Sequence, residues 1–225
     1  VRRISLGFQW TSFVYAMANG PYRYSAGRII VFAKEPVAGH VKTRLASDIG
    51  DEAALHVHQK MVNETIEMAS QSALAKLELH VSGNLQHPLF QSIAEQQGIP
   101  VYLQQGSNLG EKMFSALNES LDNASYSVLI GSDCPVMSAD YIEQAFHALD
   151  LGQDVVIGPA EDGGYVLIGA SRVEVSWFNN IDWGSQRVLE QSRQALISSA
   201  ASFQELQPLW DIDHIGDLNR WRLCQ

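Results

Sequence analysis

Tyr126-Ser-Val-Leu-Ile-Gly-Ser-Asp-Cys-Pro-Val136 decides the fold. Val128, Leu129 and Ile130 form a short continuous apolar run closed by Gly131. A run of that kind marks a strand buried on both faces, as in a parallel sheet. Pro135 has no N–H to give a ladder, so the strand stops before it. Asp133 therefore falls just past the carboxyl end of a strand, where open α/β sheets keep their ligand sites. A carboxylate there suits Mg²⁺ (or Mn²⁺), an ion that takes one or two protein carboxylates and fills its octahedron with water and phosphate oxygens. The competing reading makes Asp133 a cap for the helix starting near Ser138, but Ser138 is itself better placed for that task.

Upstream, Arg28 to Ala33 is a second continuous apolar run and the first strand. It opens into Lys34-Glu-Pro-Val-Ala-Gly-His-Val-Lys-Thr-Arg-Leu45, where Pro36 and Gly39 force a loop. Lys34, Lys42 and Arg44 concentrate positive charge there, on a chain whose net charge is −10. Backbone N–H groups, a helix start that Thr43 is expected to cap, and three cations together are suited to holding an anion. Arg44 can grip a phosphate through two parallel hydrogen bonds, while Lys42 acts as a point charge. The plain alternative is a solvated basic loop. The stretch is neither a Walker A loop nor a G-x-G-x-x-G turn.

The remaining chain alternates. Asp51 to Ala73 has the periodicity of a helix; His56 and His58 are two apart, share no face, and read as ordinary helix residues. Lys76–Ser82 and Ile99–Leu103 read as strands, separated by a helix over Leu89–Gln97. Leu109–Leu121 and Ala139–Leu149 are helices on either side of the opening stretch. Asp154–Gly158 is the fifth strand and Tyr165–Ile168 a further one. Between them, Gly163 and Gly164 let backbone approach a ligand closely or take positive φ, beside the carboxylates of Glu161 and Asp162. A hairpin turn reads the same, since Asp-Gly is a strong hairpin signal. Trp177–Trp183 is expected to be a loop, with a helix from Ser185 to Ser198. Leu206–Trp210 is assigned to a strand. Asp211 and Asp213 follow as alternate residues, so on extended chain both face one side. One is a candidate second metal ligand; either can instead cap a final helix, Ile215–Leu223. Repeated strand–helix units with short connections predict one α/β domain, a mainly parallel, mixed sheet with helices on both faces.

The 225 residues suffice for one such domain with a sizeable core. The acidic balance argues against a nucleic-acid partner, which calls for a basic face, yet leaves room for one nucleotide. Cys134 and Cys224 are too few and too far apart for a disulfide framework, which points to a reducing cytoplasm; Cys134 reads as a buried filler. No run of 18 apolar residues occurs, so no membrane-spanning helix is expected. Arg2 and Arg3, followed by a mildly apolar stretch and Ala16-Met17-Ala18, outline a signal peptide. Gln9 to Ser12 interrupt it, and an extension ahead of a start at Met17 is equally consistent. Residues 1–27 are accordingly placed outside the fold, and 28–225 form the domain.

Four segments, Lys34–Leu45, Gly131–Pro135, Gly158–Gly169 and Asp211–Leu218, occur in an order and spacing that resembles the GT-A superfamily, the nucleotide-diphospho-sugar transferase fold. Within it the chain is similar to a bacterial family labelled glycosyltransferase and linked to arsenosugar biosynthesis. The Lys-Thr-Arg-Leu loop also resembles nucleotidylyltransferases that guanylylate phospholactate or the molybdenum cofactor. The resemblance implies a single GT-A-like, Rossmann-like domain that uses a nucleotide donor and a small-molecule acceptor. It implies that Lys34, Gly39, Lys42 and Arg44 face the nucleotide and that Asp133 holds the metal. Asp213, with Asp211, would be the later acidic partner, and Asp162, Gly163 and Gly164 would lie near the acceptor or transferred group. Pro135 stands where a full D-x-D motif has its second carboxylate.

Two transferase chemistries follow. In glycosyl transfer, the favoured one, Mg²⁺ on Asp133 neutralises the leaving nucleoside diphosphate and Asp162 orients or deprotonates an acceptor hydroxyl. In nucleotidylyl transfer, Lys42 and Arg44 hold the β- and γ-phosphates and pyrophosphate leaves. A non-catalytic nucleotide-binding protein is the third class.

Overall fold

β1 (Gly27–Lys34), β2 (Lys76–Ser82), β3 (Val101–Leu103), β4 (Tyr126–Gly131), β5 (Val155–Pro159), β6 (Tyr165–Ala170) and β7 (Phe203–Glu205) form one seven-stranded sheet, in the order β3-β2-β1-β4-β6-β5-β7. The structure is a computed structural model that describes residues 21–223. β1 pairs in parallel with both β2 and β4, and β6 alone runs antiparallel, to β4 and to β5. The mainly parallel, mixed sheet predicted from the strand–helix alternation is the one observed.

The helices are α1 (Thr43–Ile49), α2 (Asp51–Gln71), α3 (Pro88–Gln97), α4 (Leu109–Leu121), α5 (Ala139–Asp150), α6 (Val188–Ser198) and α7 (Ile215–Arg222), with a 3₁₀ turn at Val175–Phe178 that runs into the start of the expected 177–183 loop. Successive strand residues point to opposite faces. Ile29, Val31 and Ala33 of β1 join Val62 and Ile66 of α2, Phe90 of α3 and Phe146 of α5 in one core layer. Ile30 and Phe32 join Met113 and Leu117 of α4 and Leu196 of α6 in the other. Continuous apolar runs in β1 and β4 are thus explained: both faces are covered.

A third cluster, Leu45, Met61, Trp210, Ile212, Leu218 and Trp221, ties α1, α2 and α7 together beside the sheet. It anchors the segment carrying Asp211 and Asp213, because the alternate residues Trp210 and Ile212 are both buried.

Leu206–Trp210 does not form the expected strand. β7 ends at Glu205, and Pro208 has no N–H with which to continue a ladder. The chain keeps beside β5 through single bonds, Leu206 N–H to Ile157 O and Leu209 N–H to Pro159 O, each 2.9 Å. Ile99–Leu103 shortens to β3 for the same reason, with Pro100 ahead of it. At the other end, β1 begins at Gly27, and the N–H groups of Arg23 and Tyr24 already donate to Ala73 O and Leu74 O. The Tyr24 ring stacks on Phe146. Residues 21–27 therefore pack on the domain instead of lying outside it. The rest of the 1–27 expectation, with its signal-peptide outline, falls outside the described residues. Among the described residues, no helix is long and apolar enough to cross a membrane.

Candidate active site

β1 has β2 on one side and β4 on the other, so strand order reverses between β1 and β4. Open α/β sheets bind ligands at the carboxyl ends of the strands flanking that point. A cavity of about 510 Å³ lies there, and its walls include Lys34, Asp133, Asp162, Gly164 and Asp211. Segments far apart in sequence are thereby brought to one place.

Asp133 does not cap α5; Ser138 does, accepting from Tyr141 N–H at 3.2 Å. The Asp133 carboxylate instead receives Lys42, whose Nζ lies 3.1 Å from Asp133 Oδ2 and 3.4 Å from Asp213 Oδ1. The Lys42 side chain is 7% exposed, Asp133 41%. Burial alone would lower the Lys42 ammonium, but Asp133 and Asp213 outweigh it and hold the pKa above its ordinary value. Reciprocally, the Lys42 ammonium holds the Asp133 carboxyl below the usual range, against its own desolvation. Lys42, not Thr43, is the N-cap of α1; it sits in the left-handed region (φ 46, ψ 43) with no side-chain cap. Non-glycine residues rarely take that conformation.

The other loop cations are engaged as well. Lys34 Nζ donates to His40 O at 2.6 Å while lining the cavity. Arg44 reaches Asp213 Oδ2 at 2.8 Å and is 59% exposed. Arg44 and Gly39 are not part of the cavity wall. Gly39 has φ 75, and a Cβ there would face the Asp51 carboxylate, so its glycine serves the loop's own turn.

Ile212 N–H donates to Asp133 O at 3.0 Å, docking the 211–213 segment directly onto the loop after β4. Asp211 and Asp213 face away from the buried Trp210 and Ile212, as alternation requires, but their surroundings differ. Asp213 is held by Lys42 and Arg44, and its N–H donates to Asp217. Asp211 lines the cavity, and its carboxyl is pushed up to about 6 by burial and by Asp133, Asp162 and Asp213. Asp211 is thus the carboxylate that shares the cavity with Asp133, and Asp213 anchors the cations behind it.

Asp162 sits at the tip of the β5–β6 hairpin, where its Oδ1 accepts Gly164 N–H at 2.8 Å. The Asp-Gly hairpin and the cavity wall prove to be one feature. Gly163 does not face the cavity: it has φ 91, and a Cβ would fall 2.3 Å from Gln186 O. Its carbonyl accepts Leu189 N–H at 2.9 Å. The backbone approach made possible by Gly163 is to its own chain, and it sets the 184–188 segment against the cavity.

Sequence reasoning passed over four wall residues. His58 is buried, with Nε2 2.9 Å from Lys34 O. A carbonyl only accepts, so Nε2 carries the proton, and burial lowers the imidazole pKa. Lys112 lines the opposite side and donates to Ser82 Oγ at 3.3 Å. Tyr165 and Trp183 form an edge-to-face aromatic pair, centroids 6.3 Å apart. Helical periodicity gives no signal for His58 or Lys112, because their cavity-facing role depends on which strand ends their helices cross.

Among the described residues no three His, Cys, Asp or Glu side chains converge as a metal cluster. The donor chemistry nevertheless suits a hard cation: Asp133 and Asp211 offer carboxylate oxygens to one cavity, and Mg²⁺ commonly takes one or two.

The chain is similar to a protein of Desulfovibrio desulfuricans G20 provisionally assigned as a nucleotide-diphospho-sugar transferase, with TM-score 0.79 and 29% identity over 87% of this chain and 85% of that one. It is also similar to 4-diphosphocytidyl-2C-methyl-D-erythritol synthase of Anaerococcus prevotii DSM 20548, with TM-score 0.60 and 10% identity over 89% and 98% of the two chains. A third likeness is to the inositol-1-phosphate CTP transferase of T. maritima, with TM-score 0.58 and 14% identity over 91% and 96%. The last two likenesses establish a common fold. No curated protein sequence matches. Residues 65–185, more than half the chain, match the model of one family, and the chain belongs to it: "Uncharacterized protein conserved in bacteria (DUF2064)".

Proposed function

We propose that the protein is a metal-dependent transferase acting on an activated nucleotide donor, and that its reaction is glycosyl transfer from a nucleotide-diphospho-sugar to a small acceptor. The observation that carries this reading is the convergence of Lys34, Asp133, Asp162 and Asp211 on one cavity at the β1–β4 switch point. Lys34 and Lys42 would meet the donor phosphates. Asp133 and Asp211 would hold Mg²⁺ or Mn²⁺, whose contribution there is to neutralise charge on the leaving diphosphate. Asp162, with Oδ1 committed to Gly164, would use Oδ2 to orient an acceptor hydroxyl or take its proton. The 29% identity to the Desulfovibrio protein supports the nucleotide-sugar donor. Cytoplasm, where such donors are made, is the compartment that accords with this chemistry.

Nucleotidylyl transfer is the second reading, supported by the cationic 34–44 loop. One experiment separates the two. The protein is incubated with Mg²⁺, a panel of nucleotide sugars and nucleoside triphosphates, and a mixed small-molecule acceptor pool. Release of nucleoside diphosphate from a nucleotide sugar supports the first, and release of pyrophosphate from a triphosphate supports the second. Nucleotide binding without turnover of any donor would leave a binding protein and overturn both.

A further inference from the structure

Resting on the metal-centred reading above, we propose that Lys42 is a built-in counter-ion that occupies Asp133 in place of the divalent cation until donor phosphates draw it away. Lys42 approaches Asp133 Oδ2 at 3.1 Å from a nearly fully buried position. A Mg²⁺ on that carboxylate would sit about 2.0–2.1 Å from its oxygen. Two cations on one carboxylate within a few ångströms repel each other. The two therefore compete.

The pairing pattern makes the competition one-sided. Asp213 has two cations, Lys42 and Arg44, and keeps Arg44 when Lys42 leaves. Among the ion pairs of the described residues, Asp133 has Lys42 alone. Withdrawal of Lys42 thus bares one carboxylate, the one in the cavity wall. Of the other loop cations, Lys34 is bonded to its own loop and Arg44 to Asp213, so neither replaces Lys42 at Asp133 without giving up a contact. Lys42, at the left-handed N-cap of α1, is buried against Asp133, while Asp133 stays 41% exposed and lines the cavity. The flexible four-carbon stem of lysine permits the move from carboxylate to phosphate.

The test uses two probes separately: Mn²⁺ alone, followed by the electron paramagnetic resonance of the free ion, and inorganic pyrophosphate alone, in chelator, by calorimetry. Lys42→Met should bind Mn²⁺ about tenfold tighter than wild type and pyrophosphate about tenfold weaker. Opposite signs from one substitution are not what a general loss of structure gives. Adding Asp133→Asn to Lys42→Met should erase the Mn²⁺ gain. Where Lys42→Met fails to fold, Lys42→Gln keeps an N–H donor toward Asp133 and answers the same question. Mn²⁺ affinity that is measurable in wild type and unchanged in both Lys42 variants overturns the counter-ion. Mn²⁺ binding absent from wild type and variants alike overturns the metal-centred reading together with it.

Discussion

The Lys42 ammonium lies 3.1 Å from the Asp133 carboxylate, joining the loop after β1 to the loop after β4 across the point where strand order reverses. The two cations of that loop should consequently behave differently on substitution. Lys42 is buried between two carboxylates, so Lys42→Ala strips Asp133 of its cation and should cost about 1–3 kcal/mol. Arg44 is 59% exposed, and Arg44→Ala should cost no more than about 1 kcal/mol. Urea denaturation of the two variants beside wild type measures the contrast; equal losses would mean that Lys42 is no more embedded than a surface cation.

Asp133→Asn keeps the shape of the side chain and removes its charge. A donor saturating at about 100 times its dissociation constant adds about 2.7 kcal/mol of stability, a rise of very roughly 5–10 °C for a chain of this size. In wild type the larger part of that rise should depend on Mg²⁺. Asp133→Asn should remove the Mg²⁺-dependent part and leave the metal-free response. Thermal-shift scans over a nucleotide-sugar panel with and without Mg²⁺ read this directly. A variant that responds to Mg²⁺ like wild type would move the metal away from Asp133.

The sheet is legible from sequence because its chemistry is local. Continuous apolar runs at residues 29–33 and 128–130 are short, rich in β-branched residues and flanked by Gly or Pro, which favours strands covered on both faces, and Pro135 keeps the second one from running on. Asp133 is legible for the same reason, since its position depends on the strand it follows. Lys42 is a different case: the letters mark a cation in a basic loop, but its pairing with Asp213 depends on a segment brought in by the packing of Trp210 and Ile212 with α2 and α7. Alternation correctly sets Asp211 and Asp213 on one side, yet only tertiary structure tells which of them faces the cavity. Gly163 shows the limit of turn chemistry. Its positive φ is readable from Asp-Gly-Gly, whereas the backbone of Gln186 packed against it is not.

That contact makes the two neighbouring glycines unequal. At Gly163, φ is 91 and an added Cβ would lie 2.3 Å from Gln186 O, a backbone atom that cannot swing aside. Gly163→Ala should destabilise by at least about 1–3 kcal/mol from backbone strain, and should also loosen the 184–188 segment. At Gly164 the nearest atom to an added Cβ is Asp162 Oδ1 at 3.2 Å, the movable end of a side chain. Gly164→Ala should fold with nearly wild-type stability and disturb only the Asp162 turn. Melting curves establish the order of the two, and hydrogen exchange at Leu189, whose N–H donates to Gly163 O, reports the loosening.

Asp211 gives the site a pH signature. Burial, followed by the charges of Asp133, Asp162 and Asp213, raises its carboxyl to about 6 from an ordinary value of 3.8. The folded protein therefore binds this proton more tightly than the unfolded chain. Above about 6 both states are ionised and the fold bears the whole repulsion. As pH falls through about 6 the folded state takes up the proton first and stability rises, until the unfolded chain protonates as well near 4. Asp133 acts in the opposite sense and in another window: its pKa is depressed by Lys42, so its stabilising share is lost only below the ordinary carboxylate range. In chelator, Asp211→Asn should be more stable than wild type at pH 7.5, by a few degrees in Tm, since about 1 kcal/mol corresponds to about 2–4 °C at this size. The advantage should shrink as pH falls through 6 and be largely gone only near pH 4, where the unfolded chain protonates as well. Taking the difference between the two proteins at each pH cancels the carboxylates that do not interact with Asp211. A difference curve that is flat from pH 7.5 to 4.5 would show that Asp211 is ionised in the fold at no cost, and that the cavity carboxylates are already balanced by Lys42 and Arg44.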